Sequence, residues 1–552
     1  MQDNGPSLVC APPAADARSG IVLGEDALTV ADAARFAREP GDVPIAIGED
    51  AALRMDASVA ARDRLILMRR PIYGVTTGFG DSARFHLSPE KTTELQRNLI
   101  KYHLNGTGPS APVDVVRAAM LVRANCLARG YSGIRRGVVE LIVDCLRHGI
   151  TPVIPERGSV GASGDLVPLC YLADLLMGSG TARVDGEPVP AAVALRSRGL
   201  DPVAFEAKEG LALINGTSFM SGFGVLAVHD AEGLCAVADL GTALAAEALM
   251  GNRSHFEPVI HRQKPHPGQV RSAARVRALV RGSDLCLDTP QVLEANPDVD
   301  GLGVIPLGRP IQDRYSVRCA PHVNGVLADT LDWVRRWLDI EINSTNDNPL
   351  FDFATGRVHN GGNFYGGHVG QAMDSLKLAV ASVGDLLDRQ LAMLVDTKFN
   401  HGLPPNLVRR VDPGDPAAGL HHGFKGMQIA ASALAAEALK LTNPATAFSR
   451  STEAHNQDKV SMGTIAARDA RSVVELVTEI AAIHLLAGCQ AADLRGAHLL
   501  GLGTRTGYEV IRDHVPFVDH DRRLDEDLGV VVGLIRSGAL VAALRPHWDA
   551  DV

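Results

Sequence analysis

The chain lacks the features that would place it in several large classes of protein. Its 552 residues contain no uninterrupted apolar run of about 18, the length a bilayer span needs. The most apolar stretch near the C-terminus, residues 528–544, is broken by Arg536 and by Gly529, Gly533 and Gly538. There is no cationic surplus either: 54 Lys and Arg stand against 64 Asp and Glu, for a net charge of −10. That balance argues against nucleic acid or an anionic membrane as a partner. The eight cysteines, at 10, 126, 145, 170, 235, 286, 319 and 489, stand singly, so neither a zinc ribbon nor a disulfide framework is indicated. The first twenty residues hold neither a basic region nor a long apolar run, so no secretory leader is read and a cytoplasmic location is expected.

What is present is the composition of a folded protein, 46% hydrophobic and 21% charged. The length exceeds what one layered core usually supports, roughly 250–300 residues. A short strand at Ile21-Val22-Leu23 is followed by a helix opened by Thr29, with Asp32 placed as in a capping box. Residues 71–82, PIYGVTTGFGDS, read as a mobile loop, and residues 151–168 as a second loop rich in Gly, Pro and Ser. From about 218 onward, apolar residues recur at three- and four-residue spacing on more than one face, as in helices inside a bundle. Five such segments are read, at about 222–250, 320–342, 366–397, 423–441 and 465–497. The expected fold is mainly α, a loop-rich N-terminal region followed by a long central helical bundle. Domain limits are set at 1–217, 218–500 and 501–552, the last a C-terminal helical segment.

The chemistry is concentrated at Ala162-Ser163-Gly164. Gly164 has no side chain, so its amide nitrogen can come close to the Ala162 carbonyl carbon. Ring closure with loss of water would give a five-membered imidazolone. Loss of the Ser163 hydroxyl would then leave an exocyclic methylene, giving methylideneimidazolone, an electrophile made without an external cofactor. The bare tripeptide is ordinarily a turn, so its surroundings decide. Residues 158–178, GSVGASGDLVPLCYLADLLMG, resemble the signature of the aromatic amino acid ammonia-lyases and aminomutases, which include the histidine, phenylalanine and tyrosine ammonia-lyases.

The resemblance runs from about residue 20 to 530 and implies a histidine ammonia-lyase-like fold. It also implies roles. Tyr73, in the lid-like loop that also holds Gly80, would be the general base, a task that needs a positive environment to lower its pKa. Asn215, in Asn215-Gly216-Thr217, would lie beside the prosthetic group and donate to it or accept from it. In residues 312–321, Arg318 would grip the substrate carboxylate with its planar fork and Tyr315 would act near the reacting centre. Residues 341–350 and 361–364 match more loosely, and 455–458, with Asn456 and Gln457, complete the set. The family's homotetramer, with sites shared between chains, is implied too.

Substrate choice rests on two places. Histidine-specific members carry glutamate where Gln457 aligns, whereas the phenylalanine and tyrosine enzymes carry glutamine. Tyr102-His103 falls in the ring-recognition segment, where its two polar groups suit a phenol. The expectation is therefore a tyrosine or phenylalanine ammonia-lyase giving coumarate or cinnamate, with the corresponding 2,3-aminomutase as alternative and a histidine ammonia-lyase ranked below both. No metal is expected: the histidines at 255, 261 and 266 and at 421–422 lack zinc-ligand spacing. No Gly-Lys-Ser/Thr follows the glycines of residues 74–80, which disfavours a phosphate loop, and the GSSxMPxKxN loop of fumarase-like lyases is absent. A catalytically dead scaffold is disfavoured by the intact set Tyr73, Ser163, Asn215, Tyr315 and Arg318.

Overall fold

The computed structural model describes residues 20–548 except 40, 42, 300, 302 and 413. Residues 1–19, with Cys10 and nearly all of the stretch read for a leader, lie outside the described residues. Ile21–Leu23 pairs in parallel with Ile45–Ile47, and a helix follows at Val30–Arg38. Its cap differs in one detail from a capping box. The Thr29 hydroxyl accepts the Asp32 N–H at 3.0 Å and itself donates to the Asp32 carboxylate at 2.7 Å.

The helices that position the site are α1 (Thr92–His103), α2 (Val113–Ala128), α3 (Leu166–Leu176), α4 (Glu209–Ile214), α5 (Ser218–Ala248), α6 (Ala320–Ile342), α7 (Gly367–Val395), α8 (Lys425–Lys440) and α9 (Gly463–Arg495). The last five match the five segments read from periodicity to within about four residues. The second expected loop is shorter than its sequence suggests, because it holds the two short strands Thr151–Pro152 and Pro155–Arg157 and gives way to α3 at Leu166.

At the centre, α5 and α7 pack against α9, with α6 and α8 outside them. Alanine, glycine and leucine dominate these contacts, and small residues let the axes close up. A β-carbon on Gly384 of α7 would lie only 2.8 Å from a methyl of Val477 on α9. One buried apolar cluster runs from Ile21 to Trp548. Each fully buried Leu or Ile in it contributes about 1.5–3 kcal/mol. By length and composition α9 resembles a membrane span, with a mean hydropathy of 1.6, yet 78% of its most apolar window is buried inside the protein. Strands outside the N-terminal region are few; Leu350–Asp352 pairs with Arg357–His359.

Candidate active site

The loop carrying Ala162-Ser163-Gly164 lies where three helices begin. It leads directly into α3, and the carboxylate of Asp165 reaches the first turns of the other two. One Asp165 oxygen accepts the Met220 N–H of α5 at 2.8 Å, and the other accepts the Thr464 hydroxyl of α9. Burial raises the Asp165 carboxyl to about 6, against the pull of these donors. The positive ends of α3, α5 and α9 therefore converge on the tripeptide.

The backbone there is unusual for its residue types. Ser163 has φ +51° and Gly164 φ +79°. A left-handed conformation costs a residue with a β-carbon about 1–2 kcal/mol. Gly164 forms a parallel bridge with Gly216, and the Asp165 N–H donates to the Gly216 carbonyl at 2.7 Å. Gln457 Nε2 donates to Ser163 Oγ at 3.4 Å, while Gln457 Oε1 accepts the Thr452 hydroxyl at 3.1 Å.

Behind Gly216 lies a buried polar network. Asn215 Nδ2 donates to the Asn348 carbonyl at 2.9 Å and to Asp347 at 3.2 Å. Lys208 Nζ donates to both Asp347 oxygens at 2.7 and 2.8 Å, with both side chains fully buried. Arg123 donates to the Asn346 and Ala212 carbonyls, and Thr217 to Glu341 at 2.5 Å. Asn215 Oδ1 is buried and has no partner among the described residues. Sequence reasoning missed Lys208 and Arg123. The signal for Lys208 was slight, a single cation just before the apolar turn of α4.

Two adjoining cavities, of about 250 and 480 Å³, share Tyr73, Ser163, Leu211 and Gln457. The smaller adds Ala162, Asn215 and Asn456; the larger adds Gly80, Tyr102, His103 and Glu453. The lid is tied at its base, where the Thr76 hydroxyl accepts the Ile72 N–H at 2.9 Å and donates to the Arg70 carbonyl. Across the lid, Tyr73 Oη accepts the Gly80 N–H at 2.8 Å. Among the described residues no cation lowers the Tyr73 pKa. Burial raises its pKa, the Gly80 N–H lowers it, and Glu453 raises it again. Glu453 also accepts the Asp81 N–H at 2.9 Å, a contact sequence reasoning did not foresee.

At the far end of the larger cavity, the Tyr102 and His103 rings lie 4.3 Å apart. Burial raises the Tyr102 phenol and lowers the His103 imidazole, which favours neutral His103. His103 Nδ1 donates to the Leu99 carbonyl at 2.9 Å, leaving Nε2 as an acceptor. A phenol O–H and an imidazole N–H are both donors to such an atom, so the pair does not single out a phenol.

Tyr315 and Arg318 do not join this site. Ser316 between them is tied through Gln390 to Thr242, and Asp313 accepts the Asn252 N–H, so the segment sits at the C-terminal end of α5. The tripeptide sits at the N-terminal end. With 31 residues in α5 at about 1.5 Å each, the two groups are roughly 40 Å apart. Arg318 Nε donates to the Asp313 carbonyl, and its guanidinium lies over the Tyr315 ring at 4.5 Å. Among the described residues no group of three His, Cys, Asp or Glu is placed to hold a metal ion.

With this geometry in hand, the comparisons with known proteins are specific. The family model for aromatic amino acid lyases matches residues 28–513. A histidine ammonia-lyase of Gloeobacter violaceus is 41% identical, over 95% of this chain and 97% of its own. One from Myxococcus xanthus is 38% identical, over 96% and 99%. The crystal structure of a tyrosine aminomutase from Streptomyces globisporus superposes with a TM-score of 0.88 at 37% identity, over 96% and 99%. The curated relatives overturn the expectation of a tyrosine or phenylalanine lyase. That expectation gave Gln457 and the Tyr102-His103 pair a discriminating power that their contacts do not carry: Gln457 is engaged with Ser163 and Thr452, and His103 offers an acceptor that serves either ring.

Proposed function

We propose that this chain, which belongs to the aromatic amino acid lyase family, eliminates ammonia from L-histidine to give an imidazolyl acrylate. The observation that carries the reading is near-full-length identity of about 40% to histidine ammonia-lyases. The larger cavity is compatible with it, because the free Nε2 of His103 can accept an imidazole N–H as well as a phenol O–H.

In this family a methylideneimidazolone supplies the electrophile that makes the substrate's amino group a leaving group. The residues here fit such a group. Ser163 and Gly164 hold the left-handed turn a five-membered ring requires, Gly164 has no room for a β-carbon, and Asn215 leaves an acceptor unpaired beside them. Ala162, Ser163 and Gly164 would form it, with Gln457 and Asn215 alongside.

The chain's own residues then divide the work. Tyr73 Oη takes a proton from the β-carbon, the C–N bond breaks, a C=C bond forms, and the proton leaves with ammonia. The lid from Tyr73 to Gly80 covers the reacting atoms and limits water. Arg318, with Tyr315, holds the substrate carboxylate; at roughly 40 Å from Ser163, it would come from another copy of the chain. We take the assembly to be a homotetramer with shared sites.

The reading is tested by incubating purified protein with L-histidine, L-tyrosine and L-phenylalanine and resolving the products by mass spectrometry. Imidazolyl acrylate from histidine, with little product from the others, supports it. Turnover of tyrosine or phenylalanine without histidine refutes it.

A further inference from the structure

The amide of Asn215 has its polarity dictated by the charges around it. Nδ2 donates to the Asn348 carbonyl and to Asp347 Oδ1. Turned by half a revolution, the amide would set its own oxygen against those two acceptors and lose both bonds. Oδ1 therefore faces the other way, buried and without a partner among the described residues, on a side chain that lines the cavity with Ser163. A buried acceptor left open beside the reacting loop is suited to an N–H that arrives with the substrate.

The charge behind Asn215 reinforces the orientation that the Asn348 carbonyl also favours. Both Asp347 oxygens accept from the Lys208 ammonium at 2.7 and 2.8 Å, and neither side chain is exposed. Lys208 pays for the place with a left-handed backbone, φ +76°. A carboxylate only accepts, so Asn215 can meet Asp347 only as a donor.

We propose that Lys208 is a positioning residue. Through Asp347 it fixes Asn215 with Oδ1 toward the cavity, as acceptor for the amino N–H of the substrate. The proposal deepens the proposed deamination, and it is independent of the ring, since every substrate of this class carries the same amine. With Lys208 replaced by methionine, Asp347 is buried without its counter-charge and takes up a proton. Asn215 then keeps its bond to the Asn348 carbonyl but exchanges an anionic acceptor for a neutral carboxyl, so the amide is held less firmly with Oδ1 toward the cavity. The other titratable groups facing the pair are Arg123 and Cys126.

The test uses the full chain and whichever aromatic amino acid the unmodified enzyme turns over, so that failure of the histidine reading leaves it intact. Lys208→Met is expected to keep the unmodified enzyme's intact mass and to lose about 10- to 100-fold in kcat/KM, the worth of a hydrogen bond to a charged group. The deficit relative to the unmodified enzyme narrows as pH rises and Asp347 ionises. Combined with Asn215→Leu, it adds no further loss, because Lys208 acts through Asn215. Losses that multiply in the double variant, a deficit that does not change with pH, full activity, or a mass showing that ring formation has failed would each overturn the proposal. If Lys208→Met does not fold, Lys208→Met/Asp347→Leu, which buries no charge, takes its place. The same loss, with none added by Asn215→Leu, supports the proposal, and activity equal to the unmodified enzyme overturns it.

Discussion

Gly164 and Gly216 run side by side so closely that a β-carbon on Gly164 would lie 2.2 Å from the Gly216 carbonyl oxygen. Gly164 also holds φ +79°, which alanine adopts only with strain. Gly164→Ala must push the tripeptide away from residues 215–217. The expected result is a loss of at least about 2 kcal/mol in urea unfolding, with an intact mass that stays at the sequence value. An alanine variant that loses two waters and unfolds like the unmodified protein would show that this approach is dispensable.

The pH dependence should report Tyr73. Its phenol is raised first by burial and further by Glu453, with only the Gly80 N–H opposing. The base is the phenolate, so kcat/KM should climb with pH along a limb set by this residue. Glu453→Gln removes a negative neighbour while keeping an acceptor for the Asp81 N–H, and should move that limb to lower pH. Tyr73→Phe should cost about 10²- to 10⁴-fold in kcat. Rate profiles across pH check both, and a limb unmoved by Glu453→Gln would separate Glu453 from the base.

Glu247 should make stability depend on pH at the far end of α5. It is fully buried and accepts the Gly501 N–H at 2.6 Å; burial lifts its carboxyl to about 7. A raised carboxyl binds its proton more tightly folded than unfolded, so its contribution is present below about pH 4 and is lost as pH rises through 7. Against an unfolded value near 4.3 the difference is about 4 kcal/mol. Glu247→Gln should therefore match the unmodified protein at pH 4 and exceed it at pH 8, as measured by thermal or urea unfolding. Equal pH slopes in the two proteins would count against this role.

Complementation should expose the shared site. Ser163→Ala and Arg318→Ala are each expected to be inactive. Co-expressed, they should regain activity, because some sites then draw an intact Ser163 from one copy and an intact Arg318 from another. No recovery in a properly assembled mixture would mean that the two residues do not serve one substrate.

Much of this was legible in the sequence. Helix periodicity located α5 to α9 because their buried faces repeat along a continuous run, and Thr29 marked a real helix start. The residues around Ser163 announced the family because its signature is local and continuous in sequence. Relations between distant residues were not legible. Lys208 and Asp347 lie 139 positions apart, and nothing local to either signals the pairing. The orientation of Asn215 follows from its contacts with Asp347 and the Asn348 carbonyl, so the sequence left it open as donor or acceptor. The misreading of Tyr102-His103 has a similar cause, since only the contact with Leu99 reveals which imidazole nitrogen is free.

The length of α5 has a consequence for how this molecule fails. Ser163 and Arg318 belong to opposite ends of a rod of roughly 45 Å, and no single copy can bring both to one small amino acid. The core that keeps the rod straight lies within one chain, whereas the proposed reacting constellation does not. Dilution or mild heating that parts the copies should abolish turnover while helical signal persists. With sites shared as proposed, catalysis is a property of concentration, and helicity is a property of the chain.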